Sequence, residues 1–271
     1  MTSVVVLAAP AASKSWLETQ PRLYRLTDHA ALDHMLGELW SRYPNFEDRL
    51  RALALLRVGT PYKLGCLGEE KGRDTGPLFR IDEADCTVLV LTTDALAHAH
   101  NWQEARAMMR QLNYYPVAAG QDPVRYDNRV HFTEDRITHT RWFHDITSAL
   151  APVASLQSST LTLNRKQDGS KLLAVPFEKR LTLRWIPCDR LNAAMLDHLP
   201  KAAGVAFIRK KSFKLGVMIS HEAMVIDRRT LVEADSIDKH VIATDLLGYV
   251  RKNSDWFDGV VFFTIDNQPH A

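Results

Sequence analysis

Long apolar runs are missing from this 271-residue sequence, and no stretch approaches the roughly 20 residues that a membrane-crossing helix needs. An integral membrane segment is therefore not expected. Cysteine is scarce, with Cys66, Cys86 and Cys188 the only three. An odd number cannot all pair within one chain, and no Cys-x-x-Cys spacing offers a zinc site or a redox pair. Disulfides are not what holds the fold. An excess of one charge is also absent: 34 Lys and Arg against 32 Asp and Glu leave +2, and the basic residues are dispersed. That gives no electrostatic case for a nucleic-acid partner. Internal repeats, low-complexity segments and a convincing linker are lacking as well, which points to one domain. What the chain does have is 46% hydrophobic and 24% charged residues, enough to bury a sizeable core. Its densest basic stretch, RKKSFK (Arg209–Lys214), lies between two apolar runs and reads as a solvated hairpin turn.

The stretch VVVLAAPAAS (Val4–Ser13) has a short apolar core followed by small residues in an Ala-x-Ala pattern, like the end of a secretory signal. No Lys or Arg precedes it. An export remnant and a flexible apolar tail both fit. Residues 1–20 are therefore assigned to a tail or signal remnant, residues 21–271 to the domain, and the expected location is periplasmic or secreted.

Helices dominate the first half. TDHAALDHMLGELWSRYP places Leu32, Met35, Leu36, Leu39 and Trp40 at three- and four-residue steps and stops at Pro44. A second helix opens at the cap Asn45, with Asp48 three residues on, and ends at Gly59 before Pro61. After a loop over about 60–84, a third begins at Cys86 behind the cap Asp85, with Val88, Leu89, Leu91, Ala95 and Leu96 on its apolar face. WQEARAMMRQLNYY supplies a fourth, and Pro116–Leu150 reads as irregular. Beyond Leu150, STLTLNR, LTLRWIP, GVAFIRKK, GVMISHEAMVID, TLVEAD and GVVFFTID are short, β-branched strand segments, broken by one helical interlude, CDRLNAAMLDHLP. Helices first and strands later is an α+β order. An irregular insertion is expected at about 113–185.

Cys86 is either a buried small hydrophobe or a nucleophile. A thiolate at a helix start faces free N–H groups and the positive end of the macrodipole, a setting that takes thiol pKa values from roughly 8.5 to about 3.5–7.5. The same N–H groups can hold an oxyanion. A base is offered by His221 in MISHEAMVID, and the next strand, TLVEAD, returns Glu233 beside it across the turn DRR. Asp235 lies on the same strand face as Glu233 and is the alternative orienting carboxylate.

The segments GTPYKLGCLGEE, RIDEADCTVLV, ISHEAMVI and LVEADS together resemble the NlpC-type papain-like cell-wall hydrolases. More narrowly, they resemble the N-acetylmuramoyl-L-alanine amidase-like branch, with its Gly-Thr-Pro-Tyr, Leu-Gly-Glu, Asp-Cys-Thr and His-Val-Gly motifs. The likeness runs from about Leu50 to the C-terminus, and DRITHTRWFHDITSAL is similar to a further family segment. It implies a papain-like α+β fold with the nucleophile at a helix N-terminus packed on a mainly antiparallel sheet. It also implies a Cys86–His221–Glu233 triad acting on an amide of peptidoglycan fragments, with no cofactor or metal required. Tyr62 would approach the nucleophile as an oxyanion or substrate contact, and Asp85 and Thr87 flank it. The chain departs from the pattern twice: His-Glu-Ala replaces His-Val-Gly, and a glutamate stands where the third polar residue is usually histidine.

Elsewhere, Cys66 and Cys188 read as packing residues, and His98 and His100 point apart on their helix. His131, His139 and His144 match no standard metal spacing. Arg129 and His131 are candidates for binding a substrate carboxylate, and Trp142 or Phe132 for stacking on sugar; helix packing and surface pairing compete with that reading. The expected function is a monomeric cysteine amidase or peptidase of muropeptides. The rivals are a binding protein for the same fragments and a wall-degrading toxin, which would bring an immunity protein as partner.

Overall fold

Capping chemistry and apolar periodicity set the helices of the computed structural model, which describes residues 15–67 and 79–269. The signal-like stretch Val4–Ser13, and Gly68 and Glu69 of the Leu-Gly-Glu match, lie outside the described residues. A single helical turn, α1 (Trp16–Thr19), is followed by α2 (His29–Arg42), α3 (Phe46–Arg57), α4 (Cys86–His98) and α5 (Trp102–Asn113). Asp28, Asn45, Asp85 and Asn101 cap the last four through side-chain oxygens that accept backbone N–H bonds. From residue 15 onward the segment assigned to a tail is instead packed. The Trp16 indole donates to Glu38 at 3.2 Å and lies under the Arg42 guanidinium.

The remaining elements are α6 (Thr133–His139), β1 (Phe143–Asp145), α7 (Thr147–Leu150), β2 (Gln157–Leu163), β3 (Lys179–Pro187), α8 (Ala193–Leu196), β4 (Ala202–Ile208), β5 (Ile219–Ile226), β6 (Thr230–Asp235), β7 (His240–Asp245), α9 (Leu246–Lys252) and β8 (Gly259–Ile265). The eight strands make one antiparallel sheet in the order β2-β3-β8-β4-β5-β6-β7, with β1 also paired to β8. The α+β class and the antiparallel sheet are as the sequence indicates. RKKSFK is the β4–β5 connection, ended by Gly216 at φ +77. The stretch expected as an irregular insertion is built into the sheet, because β1 and β3 both pair with β8.

Alternation along the strands separates two cores. Met224, Val232, Val261 and Phe263 face the layer of α2–α5, where Leu36, Leu53 and Leu89 are fully buried. Phe207, Val225, Leu231 and Phe262 face the other way, against Leu196, Leu246 and Val250 of α8 and α9. No helix among the described residues is long and apolar enough to cross a membrane.

Candidate functional site

Strands β5 and β6 pair only at their hairpin end, from Met224↔Val232 to Ile226↔Thr230. Beyond that they part, while β6 stays with β7 as far as Asp235↔His240. Helix α4 packs against both, and Thr87 in its first turn donates to Glu222 of β5. Its approach is fixed from the sheet's far edge. At Gly59 a φ of +89 turns the chain out of α3. Residues 59–62 then line β7, with Gly59 N–H to Val241 O at 2.8 Å and Tyr62 N–H to Lys239 O at 2.9 Å. Ala84 continues the pairing, donating to Pro61 O at 2.9 Å, and the next two residues are the cap Asp85 and Cys86.

This geometry brings Cys86, His221 and Glu233 together. His221 Nε2 meets Glu233 Oε2 at 2.8 Å, and the Cys86 thiol lies near enough to act on the imidazole. Burial alone would depress the histidine, but the influence of Cys86 and Glu233 wins, raising it to about 10. Phe207 and Phe257, themselves 4.8 Å apart, pack on one side of the ring with centroids at 5.3 and 6.1 Å. Glu233 is itself buried. Tyr249 of α9 lies near it, and burial together with that carboxylate's charge raises the phenol. Tyr249 lies in no motif that the sequence flags; only the fold delivers it.

The other predicted residues divide. Tyr62 sits beside Cys86, and burial together with the charges of Cys86 and Asp85 raises its phenol. Asp85 is committed to structure: Oδ1 accepts Val88 N–H at 2.8 Å and Oδ2 accepts Gly65 N–H at 2.9 Å. Burial lifts its carboxyl above the ordinary range, against the pull of those two bonds. Thr87 donates to Glu222 Oε1 at 2.6 Å. Asp235 accepts the Ile237 and Asp238 N–H groups at 2.5 and 3.1 Å, closing the β6–β7 turn, so the imidazole is held by Glu233. Arg129 is buried and donates to Leu67 O at 3.2 Å, while His131 Nε2 meets Tyr126 O at 2.6 Å. Trp142 packs edge-on to His98 at the last residue of α4. At 1.5 Å per residue that is roughly 18 Å along the helix from Cys86, so Trp142 is not brought to the thiol. Phe132 is buried and stacks on Phe177 at 5.6 Å, a packing contact. Cys66 and Cys188 are packed thiols, both raised to about 11, chiefly by burial.

Glu222, the departure beside the base, points to the opposite face from His221. It is buried against Arg136, and its Oε1 also accepts from Thr133 at 3.0 Å. A charge inside the apolar run ISHEAMVI was the available signal that such a partner must exist.

Fold and site together define an α+β protein with a thiol, an imidazole and a carboxylate in a row where two strands of an antiparallel sheet part. The sequence model of the AmiA-like family, described as N-acetylmuramoyl-L-alanine amidase-like, matches residues 53–260, and the chain belongs to that family. No curated protein matches it significantly. Among solved structures, a Legionella pneumophila protein is similar at TM-score 0.67 and 19% identity, over 88% of this chain and 97% of that one. An N-acetylmuramoyl-L-alanine amidase from Bacteroides uniformis follows at 0.61 and 18%, over 82% and 99%. A putative xylanase from Bacteroides fragilis gives 0.57 and 21%, over 78% and 98%. At these identities the likeness concerns the fold.

Proposed function

We propose that the protein is a papain-like (NlpC-type) cysteine amidase of peptidoglycan fragments, cutting the N-acetylmuramoyl–L-alanine bond and working in the periplasm or outside the cell. The observation that carries the reading is the His221 ring bonded to Glu233 and set near Cys86, with Cys86 on the first residue of a capped helix. Membership of an amidase-like family supports the substrate class.

In this mechanism His221, raised to about 10, is imidazolium at neutral pH, and Cys86 supplies Sγ as the thiolate. Sγ bonds to the amide carbon, and the carbonyl electron pair moves onto oxygen, held by N–H groups of the opening turn of α4. As the tetrahedral intermediate collapses, the C–N bond breaks and His221 gives its proton to the leaving amine. Neutral His221 then accepts a proton from water, whose oxygen attacks the thioester. Acid leaves, and the thiolate–imidazolium pair is restored. Glu233 keeps one ring nitrogen engaged, so the other stays aimed at Sγ and the leaving group.

The test is mass spectrometry of a muropeptide digest. Release of free stem peptide with an intact N-terminal L-Ala supports the amidase. Cleavage within the stem moves the assignment to a peptidase. Binding without any cleavage, together with a Cys86 that alkylates no faster than a model thiol, leaves the binding-protein reading.

A further inference from the structure

The basic β4–β5 connection plays no part in the mechanism above, yet it lies at the chemical end of the sheet. Phe207 pairs directly with His221, and Arg209 follows Phe207 by two residues, just past the end of β4. That step is roughly 7 Å along the strand. The segment before β8 arrives beside it: Phe257 packs on Phe207 at 4.8 Å, and Trp256 precedes Phe257. Trp256 is 55% exposed, one of few large hydrophobic side chains so open. The Arg209 guanidinium lies over its indole, with Cζ 3.5 Å from the ring centroid.

Among the described residues no carboxylate pairs with half-buried Arg209. Its Nε is buried without an acceptor, and no hydrogen bond or ion pair of its guanidinium occurs among the described residues. The nearby Asp258 is spent on Lys210, through the Lys210 N–H at 2.7 Å and Nζ at 3.9 Å. Exposed Lys211 and Lys214 add positive charge, and no acid interrupts 209–217. A planar guanidinium, stacked into one orientation and left unpaired, has a geometry matched to a carboxylate's two oxygens.

We propose that Arg209, held by Trp256, is a subsite for a carboxylate carried one or two residues from the scissile amide, so that the preferred substrate is an acidic peptide fragment. This rests on the amidase reading for its substrate. The subsite itself is a claim about binding, and it stands or falls separately.

The experiment compares one muropeptide with its stem carboxylates free and the same muropeptide with them converted to carboxamides. Wild type should favour the acid form in kcat/KM by about ten- to hundredfold, the worth of one charge-assisted contact, mostly through KM. In Arg209→Met that preference should collapse towards one. In Arg209→Lys part of it should survive, and in Trp256→Ala it should shrink as the guanidinium loses its platform. Each preference is a ratio on one folded preparation, so loss of stability does not imitate it. Should no turnover be found, titration calorimetry of the Cys86→Ala protein with the same two ligands reads the same ratio. Equal handling of acid and amide by wild type, or an unchanged preference in Arg209→Met, overturns the subsite whatever becomes of the amidase.

Discussion

At the scale of single residues, the chemistry turns on His221, bonded to Glu233 and near Cys86. Cys86→Ala removes the atom that bonds to substrate, and turnover should fall by roughly a thousandfold or more, measured on muropeptides against a folded control. Glu233→Gln keeps shape but removes charge. It should cost roughly ten- to hundredfold and more than Asp235→Asn, whose carboxylate is occupied by turn N–H groups. The reverse ranking would transfer the orienting role to Asp235. The pH dependence has a definite sign. A histidine raised to about 10 keeps its proton through neutrality, so activity should decline as pH climbs through about 10. Glu233→Gln should bring that decline to lower pH. The raised value is also a source of stability, present in full below the ordinary histidine pKa and lost as pH rises through about 10. Between pH 6 and 10.5 the wild-type melting temperature should therefore fall further than that of Glu233→Gln.

Among elements, the junction of α4, α6 and β5 shows where reading the sequence succeeds and where it stops. The four long helices and strands β2 to β6 and β8 are legible, because polar caps mark the helix starts, α2 and α5 bury residues at helical spacing, and the strands are short β-branched runs bounded by turn residues. The cap at Asp85 and the row Cys86, His221 and Glu233 are legible for the same reason, each standing beside a clear strand or helix signal. Helix α6 is not, since Glu134, Asp135 and Arg136 occupy three of its four buried positions. Apolar periodicity cannot register an element whose buried face is charged. The structure explains that face: Arg136 neutralises Glu222, while Glu134 Oε1 accepts the Met218 and Ile219 N–H groups at 2.5 and 2.7 Å at the entry to β5. Glu222→Val restores the valine of the resembled motif but strands a buried guanidinium. It should cost about 3–5 kcal/mol in urea unfolding, and Glu222→Val with Arg136→Met should recover much of that. A double variant no more stable than the single one would show that the pair does not act as a unit.

For the molecule as a whole, one sheet carries two cores, and the chemistry occupies one end of it. Stability and catalysis should therefore separate wherever a change strikes the sheet away from that end. Gly204 provides the case. It lies on β4 between Met224 and Phe263, three residues before the Phe207 that pairs with His221. A Cβ built there would stand 2.0 Å from the Phe263 ring, which is fully buried and packs edge-on to Phe143 at 5.9 Å. The ring cannot swing into solvent, so Gly204→Ala must push β8 away from β4 or distort the β1–β8 pairing behind it. Overpacking of this kind costs about 1–3 kcal/mol or more. Both cores lean on β8, through Phe263 on one face and Phe262 on the other, so the loss should appear as a lower urea midpoint in one cooperative transition. The thiol, imidazole and carboxylate are held by α4, β5 and β6, and the clash falls on Phe263 of β8 rather than on Met224, the hairpin residue on the other side of Gly204. Activity per folded molecule, counted by Cys86 alkylation at low temperature, should thus stay close to wild type while the midpoint drops. If activity instead falls in step with the midpoint at temperatures where the protein is fully folded, the spacing of β4 and β8 reaches the row through Phe207, and the two ends of the sheet are mechanically one.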